Sequence, residues 1–156
     1  MAHTSTLDET DILILRELQQ NSRLTNKELA ARIHLSTTPT FERTRRLERD
    51  GYIKLYTAII DADRIDRGFT VLCNISTNNI FKDKIEDFRE QVSKWDEVTE
   101  CFNVSGEFDF VMKVSVSSMK AYQEFIINKV GAIQYISKIQ STFIMDTLKM
   151  SYGVKL

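Results

Sequence analysis

Residues Leu24–Ile53 read LTNKELAARIHLSTTPTFERTRRLERDGYI, and this stretch carries two helix starts and a helix stop. Thr25 stands three residues before Glu28, the spacing at which each side chain satisfies the other's free backbone N–H, with Leu24 and Leu29 placed as the flanking apolar pair. A helix follows to about Ile33, burying Leu29, Ala30 and Ile33. Thr38-Pro39 marks the second start: proline drives its predecessor out of the helical region and suits the first helical position, which makes Thr38 the N-cap. TFERTRRLERD then runs to Gly51, which fits the left-handed position just past a helix end. Only His34 to Thr38 separates the two helices, the length of turn that sets one helix across another in a helix-turn-helix.

The second helix has an unusual composition. Thr40, Thr44 and Leu47 fall at i, i+4 and i+7 and form the inward stripe. Thr38, Phe41, Glu42 and Arg45 face outward, with Arg43, Arg46 and Arg49 along the flanks and Ser36 and Thr37 just ahead. Guanidiniums clamp phosphates or guanine edges, and short hydroxyls make positioning contacts, so this helix suits the major groove of double-stranded DNA. Arg45 and Arg46 are expected to carry affinity; Arg43 has the option of pairing internally. The competing reading is a solvated helix in which Glu42, Glu48 and Asp50 pair with the arginines.

Composition bounds the alternatives. With 156 residues, 42% hydrophobic and 28% charged, the chain fits one or two small folded domains. Its net charge of −1 excludes a generally basic nucleic-acid binder, so DNA affinity has to come from a local patch. No apolar run is long enough for a membrane span and MAHTSTLDET lacks the blocks of a secretion signal, which points to the cytoplasm and to no membrane partner. Cys73 and Cys101 read as buried thiols outside any metal or disulfide pattern. The histidines, His3 and His34, have no catalytic partner, and no cofactor or metal is expected.

Around the opening stretch, a helix starts at Asp8, with Asp11 also in its first turn and Ile12, Leu15 and Leu18 inward. Gly51 to Ile60 is β-branched and aromatic, hence extended, and Ile53–Asp66 reads as a hinge strand. Phe69, Val71, Cys73 and Ile75 alternate as a strand; Phe81, Ile85, Phe88, Val92 and Trp95 repeat at helical spacing; Val98–Val104 is extended again. Phe108, Phe110, Met112, Val114 and Val116 alternate, a helix follows from a Ser118 cap with Tyr122, Phe125, Ile126 and Val130 inward, and Ile133–Leu148 closes as a long strand. The resulting α+β architecture is a helix-turn-helix domain over residues 1–52, a linker over 53–66 and a βαββαβ, ferredoxin-like domain over 67–156. Two helices on one sheet face leave the other bare, with Val111, Thr142 and Ile144 on it or along its edges, and a bare face of mixed polarity predicts an oligomer.

LSTTPTFERTRRLERDGYIKLYTAIID at Leu35–Asp61 and VSGEFDFVMKV at Val104–Val114 resemble, respectively, the recognition helix with linker and the strand-turn-strand signature of the Lrp/AsnC (feast/famine) family of transcription regulators. The resemblance covers nearly the whole chain. It implies a winged helix-turn-helix and a RAM-type ferredoxin-like domain, a dimer that assembles into tetramers or octamers, and modulation by an amino acid held between dimers. The matching effector positions are Ser105, Gly106 and Glu107 in the turn, Asp109 at the head of its strand, and Thr142 with Phe143 on the last strand. Asp109 would accept the ammonium of a zwitterion, while the Gly106 turn and Thr142 would donate to its carboxylate. Alternatively, Gly106 is only a hairpin residue and Asp109 only caps the turn.

The sequence departs from the family pattern at three places. Positions 40 and 44, often aliphatic in relatives, are threonine; Phe41 puts an aromatic on the outward face, where it could touch a thymine methyl, wedge at the groove wall or pack against the first helix; and Lys129-Val130-Gly131-Ala132 lacks a proline before the glycine. Two other function classes stay open. One is a weakly specific architectural DNA-compacting protein. The other is an enzyme like the fold's tetrapyrrole-acting relatives, which need histidines in the C-terminal half where this chain has none.

Overall fold

The computed structural model describes residues 6–78 and 82–156. They divide into two compact units, one running to Ile59 and including Lys149–Leu156, the other spanning Ile60–Leu148. In the first unit, α1 (Glu9–Gln20) begins where two aspartates cap each other: Asp11 N–H donates to Asp8 Oδ1 at 2.8 Å, and Asp8 N–H to Asp11 Oδ2 at 3.1 Å. The buried stripe is Asp11, Ile14 and Leu15, with Leu18 partly buried, in place of the expected Ile12, Leu15 and Leu18. Positions 11, 14, 15 and 18 are one face of a helix, and an acid at its head disguised the pattern.

α2 (Asn26–Arg32) has the expected Thr25–Glu28 capping box. It ends on His34 in the left-handed region (φ 57), where Leu35 N–H donates to the Ala30 carbonyl at 2.9 Å and His34 N–H to that of Ala31 at 3.4 Å. α3 (Thr37–Arg49) is capped by Ser36, a correction to Thr38. Pro39 therefore stands third in the helix, where a backbone N–H would still have no intrahelical acceptor and its loss costs nothing. The same proline deprives Ser36 of a third-position donor, and the Ser36 side chain makes no cap hydrogen bond. α3 stops as expected at Gly51 (φ 80), with Tyr52 N–H donating to the Leu47 carbonyl at 2.9 Å.

Ile14, Leu15, Leu29, Ile33 and Leu47 form the core of this unit, and Leu7, Leu18, Leu24, Ile53 and Leu156 pack against it. Leu156 is brought there by the tail. Arg16 Nε donates to its carbonyl at 3.0 Å, and Val154 N–H donates to Gln19 Oε1 at 2.8 Å. Residues 54–60 are exposed and form no strand with any described part of the chain. The hinge strand expected over Ile53–Asp66 thus has no ladder in the single chain, because an extended segment becomes a strand only when a neighbour supplies hydrogen-bond partners.

The second unit runs β1 (Phe69–Thr77), α4 (Lys82–Val92), β2 (Val98–Asn103), β3 (Phe110–Val116), α5 (Met119–Asn128), β4 (Ile136–Phe143). All pairings are antiparallel in the order β2-β3-β1-β4, the expected ferredoxin-like sheet. Val71, Cys73 and Ile75 of β1 and Phe110, Met112, Val114 and Val116 of β3 share one face and are buried with Phe88, Trp95, Tyr122, Phe125 and Val130. Phe88 stacks on Phe110 at 4.3 Å between ring centroids and meets Trp95 edge-on at 6.2 Å. Each such buried aromatic contributes about 1.5–3 kcal/mol by area alone.

Several details depart from the sequence reading. Phe81, expected to open α4, lies outside the described residues. Phe108 precedes β3 rather than joining it, and Lys138 Nζ lies 5.0 Å over its ring. β4 is confined to Ile136–Phe143 because its partner β1 begins at Phe69; the pairing dies out where Ile144 N–H donates to the Thr70 carbonyl at 3.3 Å. Gly131 sits in a 3-10 turn, Val130–Ala132. Cys73 is buried as expected, but Cys101 is exposed because it lies on β2, at the sheet's edge.

Candidate nucleic-acid interface and effector site

α3 presents the face that its sequence predicts. Thr40, Thr44 and Leu47 are buried, while Ser36, Thr37, Thr38, Phe41, Glu42, Arg45 and Arg49 are exposed. The inward threonines keep their hydroxyls satisfied within the helix: Thr40 Oγ1 donates to the Ser36 carbonyl and Thr44 Oγ1 to that of Thr40, both at 2.9 Å. Thr40 and Thr44 therefore sit in the positions that suit aliphatic residues without leaving a buried polar group unpaired. Phe41 stands outside the apolar core of the unit, and Arg45 Cζ lies 5.4 Å from the centroid of its ring. The ring is a platform that holds one guanidinium on the outward face by cation–π attraction.

Arg43 and Arg46 have different surroundings. Arg43 Nη1 donates to Asp8 Oδ2 at 2.6 Å and to Asp11 Oδ1 at 2.9 Å, and Arg46 Nη2 donates to Asp11 Oδ2 at 2.5 Å. The backbone N–H of Asp11, with the Arg43 guanidinium second, holds the Asp8 carboxyl below its ordinary 3.8. Arg49 pairs with the neighbouring Asp50 at 3.1 Å with its side chain 74% exposed, an arrangement that solvent screens almost completely. Asp8 and Asp11, which the sequence marks only as the start of α1, are the acids that hold Arg43 and Arg46. The signal was present: an acid at helical spacing from Ile14, Leu15 and Leu18 is buried and needs a cation.

The effector positions fall into two groups. Gly106 (φ 131) turns the chain with Ser105 and Glu107 exposed beside it, and Lys138 Nζ holds Glu107 Oε1 at 2.6 Å. Asp109 Oδ2 accepts the Thr77 N–H at 2.6 Å and the Thr77 hydroxyl at 2.9 Å. Thr142 lies opposite Leu72 on the bare sheet face, and Phe143 lies opposite Val71 on the covered face, its ring centroid 6.0 Å from that of Phe69 and 5.8 Å from that of Tyr122. Leu72 and Thr77 lie five residues apart on β1, about 16 Å at the rise of an extended strand. One chain therefore does not bring the two groups together.

Residues 7–54 match the family model described as winged helix-turn-helix DNA-binding, and residues 70–154 match the Lrp/AsnC ligand binding domain. The leucine-responsive regulatory protein of Escherichia coli K12 is 37% identical over 145 residues, covering 93% of this chain and 88% of its own. The chain belongs to the Lrp/AsnC family. Among solved Lrp/AsnC-like structures, a transcriptional regulator of Neisseria meningitidis in complex with L-Met superposes with a TM-score of 0.90 at 34% identity, covering 96% of this chain and 97% of that one. An AsnC family regulator of Agrobacterium tumefaciens gives a TM-score of 0.90 at 32% identity, with the same coverages of 96% and 97%.

As an Lrp/AsnC protein the chain is a DNA-binding transcription regulator and not an enzyme. No described helix is long and apolar enough to cross a membrane. Among the described residues no group of three or more His, Cys, Asp or Glu side chains could hold a metal ion.

Proposed function

We propose that this Lrp/AsnC regulator reads duplex DNA with the outward face of α3 and responds to an amino acid held between copies of the chain. On the DNA side, Ser36, Thr37 and Thr38 position the head of the helix in the major groove, and Arg45, set on Phe41, reaches the base edges or backbone with Glu42 and Arg49 beside it. The observation that carries this half is the Phe41–Arg45 pair on the exposed face, 5.4 Å apart. A twofold dimer would present two such helices to half-sites about one turn of DNA apart.

On the effector side, the support is likeness over the full length to a regulator solved with L-Met. Asp109 Oδ1 is engaged by no described residue and is the acceptor for an ammonium group, with the Gly106 turn donating to the carboxylate. Thr142 and Phe143 would come from a second copy, since within one chain they pair with Leu72 and Val71, five and six residues along β1 from Thr77. The bare sheet face, with Leu72, Val111, Phe102 and Thr142 on it, supplies the surface for assembly. An effector can then shift DNA binding only to the extent that it binds two assemblies unequally.

Calorimetric titration with the proteinogenic amino acids, paired with solution mass at each saturation, tests this reading. Heat with at least one amino acid, lost in Asp109→Asn, is expected; no heat across the panel overturns the effector half. Unchanged DNA affinity in Arg45→Ala overturns the DNA half.

A further inference from the structure

Asp8 and Asp11 serve two helices at once. Their side chains and backbone N–H groups close the N-terminus of α1, and the same carboxylates receive two arginines from the middle of α3. Asp11 is the centre of the arrangement. It is 1% exposed, and its carboxylate takes three donors: Asp8 N–H at 3.1 Å, Arg43 Nη1 at 2.9 Å and Arg46 Nη2 at 2.5 Å. A carboxylate this deep is tolerated only when fully paired, so drawing either arginine away towards a phosphate would leave a buried charge half compensated. Arg43 and Arg46 accordingly keep only 31% and 35% of their side chains exposed, against 74% for Arg49. Two acids and two arginines cancel, and half of the arginine charge of α3 is neutralised before DNA arrives.

We propose that Asp11 is a positioning residue for DNA binding: its clamp on Arg43 and Arg46 fixes α3 against α1 and takes both guanidiniums out of the phosphate-contacting set, leaving Arg45 and Arg49 as the arginine contacts of the helix. This rests on the reading of α3 as the DNA-contacting helix. It predicts an unequal arginine cluster. Neutralising a phosphate contributes about 0.9 to the slope of log affinity against log salt, whereas an arginine already neutralised by a buried acid contributes nothing.

The test uses the full-length protein, a duplex selected by it from a random pool, and a scrambled duplex of equal length. Fluorescence anisotropy across a salt series is read for Arg45→Ala, Arg43→Gln, Arg46→Gln and Asp11→Asn, with circular dichroism and solution mass as controls. Arg45→Ala should flatten the slope by about 0.9 for each phosphate that is no longer neutralised. Arg43→Gln and Arg46→Gln should leave the slope unchanged while narrowing the affinity ratio between the two duplexes, because α3 loses its clamp. Asp11→Asn should steepen the slope by up to about 1.8 per chain as two guanidiniums are released to the backbone. A slope that flattens in Arg46→Gln as much as in Arg45→Ala overturns the proposal and leaves the DNA reading intact. An unchanged duplex ratio in both glutamine variants overturns the positioning role. Arg45→Ala indistinguishable from the parent in affinity and slope removes the DNA reading and the proposal together. If Asp11→Asn fails to fold, the two glutamine variants decide alone.

Discussion

Replacing Asp109 separates a structural carboxylate from a ligand-binding one. Asp109 Oδ2 receives both the backbone N–H and the hydroxyl of Thr77, at 2.6 and 2.9 Å, and so ties the head of β3 to the last residue of β1. Hydrogen bonds to a charged acceptor are worth about 1.5–3 kcal/mol each when buried. Both residues here are only part-buried, so water replaces much of what is removed, and Asp109→Ala should cost about 1–3 kcal/mol in total. Asp109→Asn keeps a neutral acceptor for the same donors and should lose about half of that, since charge-assisted bonds are roughly twice as strong as neutral ones. The chain has one tryptophan, Trp95, buried in the core of the sheet unit. Its fluorescence therefore reports unfolding of that unit and not of the helical one. At matched concentration the Trp95 transition should fall by about 4–8 °C for each kcal/mol in a unit of this size. An Asp109→Ala transition coincident with the parent would refute the reasoning. The asparagine variant answers the second question: with stability largely kept, unaltered amino-acid binding would remove Asp109 from the effector site.

Leu47→Ala, at a fully buried position of the helical core, should destabilise that unit by about 2–5 kcal/mol, read by amide exchange in α1–α3 with the Trp95 signal unmoved. Phe41→Leu removes the platform under Arg45 and should weaken binding to the selected duplex by about 0.5–1 kcal/mol, a factor of roughly two to five, with the fold unaltered by circular dichroism. Acid should weaken the helical unit through two carboxyls. Backbone N–H donors from Asp11 and Thr25 hold the Asp8 and Glu28 carboxyls below 3.8 and 4.5, so the stability they lend is complete above those values and is lost as pH falls through the lower folded ones. Helical circular dichroism should decline below about pH 4 in the parent, and by less over that range in Glu28→Gln.

The parts legible in the sequence were those governed by local spacing. Capping at Asp8 and Thr25, the Gly51 stop, the Thr40-Thr44-Leu47 stripe and the alternation of β1 and β3 each depend on residues a few positions apart. What escaped depended on contacts between distant segments. The pairing of Arg46 with Asp11 joins residues 35 positions apart on two helices, and no local spacing announces it. Thr142 and Asp109 read as neighbours until the pairing of β4 with β1 sets Thr142 opposite Leu72, five residues along β1 from the Thr77 that Asp109 holds. Ile133–Leu148 reads as one long strand until β1 runs out of partners for it. The cap of α3 is a local feature that was still misassigned, because proline is compatible with any of the first helical positions and its preference for the first one is statistical.

The return of the tail to the helical unit has a consequence for how that unit is made. Its three helices emerge early in synthesis, yet Leu156 joins their core from 140 positions beyond Arg16. The whole sheet domain has to be synthesised between the first event and the second. A nascent chain paused after β4 would therefore carry all three helices while their apolar cluster still lacked the Leu156 side chain.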